Sequence, residues 1–326
     1  MIRSIIAACL SCFVIANGAA NVGAADLTLK FSHEVPDTAI KGRTAIKFAE
    51  AVKKNSGGSI EIAIYPGGQL VAPKEEIRAA VRGQIDIIAP LINYYSSINP
   101  DWDIFYEPLL FDSVETAVQA IEGKLGDRLV DSLSNSGLVG LGFYVDGPFY
   151  VFTTDTKIVN PADLAGKKIR IPPSAPLESM LNKMGAHPIG MPASEVYLAL
   201  QQGVIDGVVT TPTYAAPVKW SEVLHNMTTV IMAMGGYGAA ISDVRWKKLS
   251  DEQKNIIKTS MDEAVAWNHQ VALENISNSV ATLASEGVEV TNLSADELKP
   301  WQDLAAQVYE EQSPEMQALI AKVKGD

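Results

Sequence analysis

The segment from Asp251 to Glu286 constrains the fold more than any other, because it contains no glycine and no proline. Its apolar residues recur at helical spacing: Ile256, Ile257, Met261, Ala264, Val265, Val271, Ile276, Val280 and Leu283. Ser250 supplies an N-cap and Gly287 follows as a stop. One continuous helix here would be roughly 54 Å long, longer than a small lobe. We therefore expect a helix that backs two lobes at once, with two shorter helices as the alternative.

Strand and helix patterns alternate before this segment. Leu27–Ser32 and Ile60–Tyr65 alternate apolar and polar residues, and Ile85–Ala89 is a short apolar run typical of a buried parallel strand. Helical patterns over Thr44–Lys54 and Pro73–Arg82 separate these strands. This order predicts a parallel sheet covered by helices, which is an α/β lobe.

A second series of the same kind follows. Strands are predicted over Leu141–Tyr144, Tyr150–Thr153, Lys168–Ile171 and Val208–Thr211. A helix is predicted over Ser194–Gln202, with its serine as N-cap. About 300 residues in two such series predict two domains.

The N-terminus has the pattern of a secretory signal. Arg3 precedes the apolar stretch Ile5–Ala16, and small residues follow. That stretch is too short to span a bilayer, which takes roughly 20 strongly apolar residues. We predict residues 1–25 to be a signal peptide cleaved after Ala25, or alternatively after Ala20, and the mature protein to be periplasmic. A retained membrane anchor is the alternative.

Composition excludes several classes of function. Both cysteines, Cys9 and Cys12, lie in the signal, so the mature chain has no disulfide, thiolate nucleophile or cysteine-ligated zinc. The net charge of −12 argues against binding nucleic acid or anionic membranes. No histidine lies three to five residues from another histidine or cysteine, and no nucleophile elbow, phosphate loop or HExxH motif occurs. We predict no enzyme activity, no metal and no cofactor.

Arg170 is the most informative single residue. It stands between Ile169 and Ile171 at the end of a predicted strand, where open α/β sheets bind their ligands. A guanidinium in apolar surroundings needs an acceptor, and its planar fork fits a carboxylate. The sequence leaves two interpretations of equal weight: a clamp for a ligand carboxylate, or an ion pair with an acidic residue of the protein.

Four segments resemble solute receptors of tripartite ATP-independent periplasmic (TRAP) transporters, the DctP-type solute-binding family. The most specific is MPASEVYLALQQGVIDG at 191–207. GKKIRIP at 166–172, YPGGQL at 65–70 and EPLLF at 107–111 resemble further family elements. The segments occur in family order, and the likeness extends over essentially the whole mature chain.

The resemblance implies an α/β, two-lobed periplasmic binding protein fold with crossing strands and a long helix spanning both lobes. We predict lobe I at 26–145 with about 233–262, and lobe II at 146–232 with about 263–326. It also implies closure on a small organic acid, whose carboxylate pairs with Arg170. Delivery to a small and a large membrane subunit, without ATP hydrolysis by this chain, is implied as well.

The chain departs from the family pattern at three positions. Phe149 stands where many relatives carry a second arginine, Thr210 or Thr211 where they carry an asparagine, and Pro173 where many have another asparagine. These changes predict a pocket less polar than that of a sugar-acid binder. A monocarboxylate with an apolar or aromatic body fits it best. Ordinary core packing is the alternative for Phe149.

Other ligand-binding candidates follow from topology, because they come directly after predicted strands or lie in a glycine-rich stretch. They are His33, Glu34, Asn93, Tyr94, Tyr214 and Tyr237. Aromatic residues at strand ends alternatively cap the core. Glu195 and Tyr197 belong to the family pattern, but we interpret both as structural. Two other functions stay open: a receptor of another transport or sensory system, and a periplasmic enzyme.

Overall fold

A computed structural model describes residues 25–325 of the chain, which fold into one mixed sheet covered by helices. The predicted signal peptide, apart from Ala25, lies outside the described residues. The strands are β1 (Leu27–Ser32), β2 (Ile60–Tyr65), β3 (Ile87–Ile88), β4 (Leu138–Thr153), β5 (Lys168–Ile171), β6 (His187–Gly190), β7 (Gly207–Thr210), β8 (Asn226–Ser242) and β9 (Glu289–Thr291).

Eleven α-helices lie in the described part of the chain. They are α1 (Ile40–Asn55), α2 (Glu76–Val81), α3 (Val114–Glu122), α4 (Lys124–Ser132), α5 (Ala175–Lys183), α6 (Ala193–Gln201), α7 (Pro212–Ala215), α8 (Asp243–Trp246), α9 (Asp251–Ser285), α10 (Ala295–Glu310) and α11 (Pro314–Gly325). Short 3₁₀ helices cover Pro73–Glu75, Ile92–Ser97, Pro100–Tyr106, Pro161–Leu164 and Trp220–Glu222.

The sheet order is β2-β1-β3-β8-β4-β7-β5-β6, with β9 beside β8. Strands β1, β2 and β3 are parallel to one another and form one half, here named lobe I. Strands β5, β6 and β7 are also parallel and form the other half, lobe II. The long antiparallel strands β4 and β8 connect the halves. The two-lobed α/β fold with crossing strands is confirmed; the lobe boundaries within the crossing strands stay a prediction.

Strand β4 differs from the sequence prediction. Two strands were predicted, over Leu141–Tyr144 and Tyr150–Thr153, but β4 is continuous from Leu138 to Thr153. The pairing of β4 with β8 shifts register between Val145 and Gly147, and Gly147 has φ +151°. Proline and glycine are therefore accommodated by a bulge inside the strand instead of ending it.

Helix α9 runs unbroken from Asp251 to Ser285, so the two-helix alternative is wrong. Ser250 and Gln253 form a reciprocal capping box at its start. Gly287 follows its end with φ +101°, a conformation that glycine adopts readily. Helix α6, in contrast, starts at Ala193 with Pro192 as N-cap, so the N-cap predicted at Ser194 is wrong.

Candidate ligand-binding site

Arg170 lies on β5 and is only 2% exposed. Its Nε and Nη2 both donate to the carbonyl oxygen of Met191, at 2.9 and 2.7 Å. Within residues 25–325 no carboxylate forms an ion pair with it, so the structural ion pair considered from the sequence is not found. Burial lowers the pKa of Arg170 to about 10, which leaves it charged at neutral pH. A buried guanidinium held in place by one carbonyl retains donors for an anion.

Three tyrosines lie within electrostatic range of this guanidinium. Burial raises the pKa of Tyr94, and Arg170 opposes that rise. The same two effects act on Tyr214, whose pKa rises to about 12, and on Tyr106, whose pKa rises well above its usual value. All three hydroxyls are therefore neutral, and their rings give the site an aromatic wall. Tyr94 and Tyr214 were predicted here; Tyr106 was not.

The lobe I side of the site is built around Lys41. This side chain is fully buried on α1, pairs with Glu34, and its Nζ lies 4.4 Å from the centre of the Tyr237 ring. Glu34 also acts electrostatically on both Tyr94 and Tyr214, which feel Arg170 as well. Glu34 of lobe I and Arg170 of lobe II thus act electrostatically on the same two tyrosines. Sequence reasoning missed Lys41, because a lysine on a charged amphipathic helix carries no signal of burial.

A second buried acid lies next to this pair. Glu76 is fully buried at the start of α2 and accepts a hydrogen bond from Ser32 Oγ at 3.1 Å. Burial raises its pKa to about 8, although Lys41 opposes the rise. Glu76 is therefore largely protonated at pH 7, and Lys41 forms its ion pair with Glu34.

His33 is buried beside the same cluster but contributes no charge. It has 0% exposure and packs edge-on against Phe31 at 5.9 Å. Burial, followed by the charge of Lys41, lowers its pKa to about 3. Neither ring nitrogen has a hydrogen-bond partner among the described residues. The imidazole packs as a neutral group against the core of lobe I.

Phe149 is 3% exposed on β4, and its ring lies 5.6 Å from that of Tyr106. It therefore joins the aromatic wall and the core at the same time. A Cβ at Gly235 would lie 2.7 Å from Phe149 Cε2. Gly235 of β8 thus makes room for the ring of Phe149.

Strand β7 ends in a buried polar network that sequence reasoning did not find. Thr211 and Thr213 each donate to the Asp146 carboxylate at 2.7 Å. Burial raises the pKa of Asp146, and these hydroxyls oppose the rise. Thr210, the predicted candidate, is also buried, and it pairs with Tyr150 in the sheet.

Asn93 bridges the lobes directly. Its Nδ2 donates to the carbonyl oxygen of Pro173, which follows β5, at 2.7 Å. Its Oδ1 accepts from the Tyr106 hydroxyl at 3.3 Å. Asn93 therefore holds the loop after β3 against the loop after β5, next to Arg170. Within the described residues no group of three or more His, Cys, Asp or Glu side chains is arranged to hold a metal ion.

Comparison with known proteins gives the family. Residues 31–315 match the profile of the DctP family, described as bacterial extracellular solute-binding protein, family 7. The chain belongs to this family, and it is a solute-binding receptor of the TRAP type rather than an enzyme. No helix among residues 25–325 has the length and apolarity needed to cross a membrane.

Two relatives show how far the likeness extends. The C4-dicarboxylate-binding periplasmic protein DctP of Rhodobacter capsulatus is 30% identical over 91% of this chain and 90% of its own length. The structure of a TRAP periplasmic solute-binding protein from Shewanella oneidensis with bound succinate superimposes with a TM-score of 0.87. It is 27% identical and covers 92% of this chain and 98% of the other.

A further solved structure agrees. The TRAP periplasmic solute-binding protein of Sulfurospirillum deleyianum, also with bound succinate, has a TM-score of 0.85 and 29% identity, over 92% of this chain and 99% of its own.

Proposed function

We propose that this protein is a periplasmic receptor for a small organic acid, exported by a cleaved signal, and that it delivers the acid to a small and a large TRAP membrane subunit. The observation that carries the proposal is Arg170, a buried cation whose only described hydrogen-bond acceptor is the carbonyl of Met191. A charge buried without a counterion is costly, so the site is completed by an anion. The named ligands of the relatives, succinate among them, are acids.

The charge balance of the site favours a monocarboxylate. Of the two buried cations, Lys41 is already neutralised by Glu34, and Arg170 is left with one positive charge. Glu76 and His33 are neutral at pH 7, because their pKa values are about 8 and about 3. A ligand with one negative charge would therefore pair with Arg170 without displacing Glu34 from Lys41.

The walls favour an apolar or aromatic body. Tyr94, Tyr106 and Tyr214 all lie within electrostatic range of the guanidinium, and Phe149 packs against Tyr106. Burying apolar ligand surface against such rings stabilises the complex. Lobe closure about β4 and β8 excludes water, which strengthens the ion pair to Arg170.

A C4-dicarboxylate is the second candidate. Lys41 lies on the opposite lobe from Arg170, so it offers a partner for a second carboxylate if Glu34 yields its place. The Rhodobacter relative is named as a C4-dicarboxylate-binding protein, and the two solved structures contain bound succinate. The two candidates differ in one respect that can be measured: only the dicarboxylate needs Lys41.

Thermal unfolding of the mature chain with benzoate, isobutyrate and succinate, and with benzamide as the uncharged probe, tests both. At about 1,000 times its Kd, a true ligand raises the Tm by on the order of 10 °C. Arg170→Ala and the fork-deficient Arg170→Lys should abolish this rise, while exposed Arg82→Ala should keep it. A full rise in both Arg170 variants would refute the clamp.

The double variant Lys41→Met/Glu34→Gln separates the two ligand classes, because it removes the buried pair without leaving a lone charge. A monocarboxylate should still stabilise it, whereas succinate should not. If no acid shifts the Tm of the wild type, the proposal fails. A receptor of another transport or sensory system is distinguished by reconstitution, because only a TRAP receptor supports uptake by the two membrane subunits.

A further inference from the structure

A groove whose lining does not include Arg170 lies between the C-terminal helices and lobe I. One side is formed by the loop after Pro108 together with α3 and α4, and the other by α10 and α11. The Tyr309 hydroxyl donates to the Pro108 carbonyl and so ties the two sides together. The groove has a volume of about 890 Å³, within the range of small-molecule sites, which also favour junctions between domains.

The floor of the groove is apolar. Leu110, Phe111, Ala305 and Leu319 are buried there, and Ala120 is half-buried. An apolar floor suits an alkyl chain or a flat ring better than a sugar, because burying apolar ligand surface against it favours binding.

The rim of the groove is cationic. Lys124, Lys322 and Lys324 line it together with Arg128, and Asp112 is the only acidic residue among the described lining. Arg128 pairs with Asp101 at 2.5 Å, and Lys324 lies 4.2 Å from the centre of the Tyr309 ring. Lys124 and Lys322 form no ion pair within residues 25–325. This excess of positive charge stands out on a chain of net charge −12.

We propose that this groove is a second binding site, and that it takes a small anionic amphiphile: one acidic head group on an alkyl or aryl chain. The head group lies at the rim near Lys124 and Lys322, and the chain covers the floor. A neutral amphiphile would lack the rim contacts, and a small inorganic anion would lack the floor. The site is independent of the acid bound at Arg170.

Isothermal titration calorimetry with octanoate tests the proposal on the mature Arg170→Ala chain, in which the first site is disabled. Octanoate should bind with one-to-one stoichiometry, and higher salt should weaken it. Octan-1-ol and acetate should each bind at least about fivefold more weakly. Lys124→Glu/Lys322→Glu should weaken octanoate by about tenfold, whereas Lys258→Glu, an exposed lysine outside the groove, should leave binding unchanged.

A second variant examines the floor. Ala120→Phe fills the groove from α3 without changing charge, and it should abolish octanoate binding while the Tm stays near that of its parent. Octanoate binding that survives both Ala120→Phe and the charge reversal would overturn the proposal. So would failure of octanoate to bind together with lysine-dependent sedimentation on vesicles of anionic lipid, because the surface would then recognise a membrane.

Discussion

Glu107 is a carboxylic acid that the fold buries without a hydrogen-bond partner. It is 1% exposed, and neither carboxyl oxygen has a partner among the described residues. Burial, assisted by the charge of Asp103, raises its pKa from 4.5 to about 8. The folded state therefore holds a proton that the unfolded chain releases above pH 4.5. Stability from this group is complete below pH 4.5 and is lost as the pH rises toward 8.

Glu107→Gln should remove this pH dependence, because the amide is neutral throughout. Between pH 5 and 8, wild type should lose roughly 3 kcal/mol more unfolding free energy than the variant. Urea unfolding at pH 5, 6, 7 and 8 measures the difference. Glu115→Gln on the exposed face of α3 is the matched control. Parallel pH profiles for wild type and Glu107→Gln would contradict the burial argument.

Single residues of the candidate site differ in how well the sequence predicts their burial and contacts. Arg170 stands between two isoleucines on a short strand, so its burial and its need for an acceptor were predictable. Lys41 is equally buried, yet its neighbours on α1 include further lysines, and only the tertiary contacts with Glu34 and Tyr237 distinguish it. Asp146 lies between the two strands that the sequence predicted, so no site role was expected for it. The burial of Arg170 was therefore predictable from the sequence, whereas the burial of Lys41 was not.

At the level of elements, helix α9 holds the bulge of β4 through one side chain. Asn268 Oδ1 accepts from the backbone N–H of Val145 at 2.9 Å, and its Nδ2 donates to the carbonyl of the same residue at 3.1 Å. The same Nδ2 lies 3.3 Å from Thr44 Oγ1 on α1. The bulge next to Val145 is thus supported by a side-chain amide from the long helix.

Asn268→Ala should destabilise the protein by roughly 2–4 kcal/mol, because it leaves two buried backbone groups without partners. Guanidinium unfolding measures the loss. Asn278→Ala, on an exposed position of the same helix, should cost less than about 0.5 kcal/mol. Equal effects of the two substitutions would show that the contact with Val145 contributes nothing.

The long helix could be predicted from the sequence, because its apolar spacing and its capping residues agree along its whole length. The crossing strands were not, because the order of strands in a sheet depends on contacts between distant segments. Strand β8 pairs with β3 at Ile241 and with β9 at Met227, at its two ends. Local pattern contains no information about such pairings; the family resemblance implied crossing strands but not which strands they pair with.

For the whole molecule, the contact between Asn93 and Pro173 is a hydrogen bond across the cleft. Separation of the lobes would break this hydrogen bond, so the bond stabilises the closed form relative to the open form. A ligand that binds between the lobes gains affinity from every interaction that favours closure. We therefore expect Asn93 to contribute to ligand affinity without itself needing to contact the ligand.

Asn93→Ala should weaken the ligand by about 2- to 10-fold, the equivalent of one hydrogen bond. Because the bond forms after encounter, the loss should appear in the dissociation rate, with little change in the association rate. Stopped-flow kinetics with the acid identified by the thermal screen measures both rates. Asn99→Ala, which removes an N-cap of the Pro100–Tyr106 helix in lobe I, controls for local destabilisation. A slower association with unchanged dissociation would instead assign Asn93 to the encounter, in the open form.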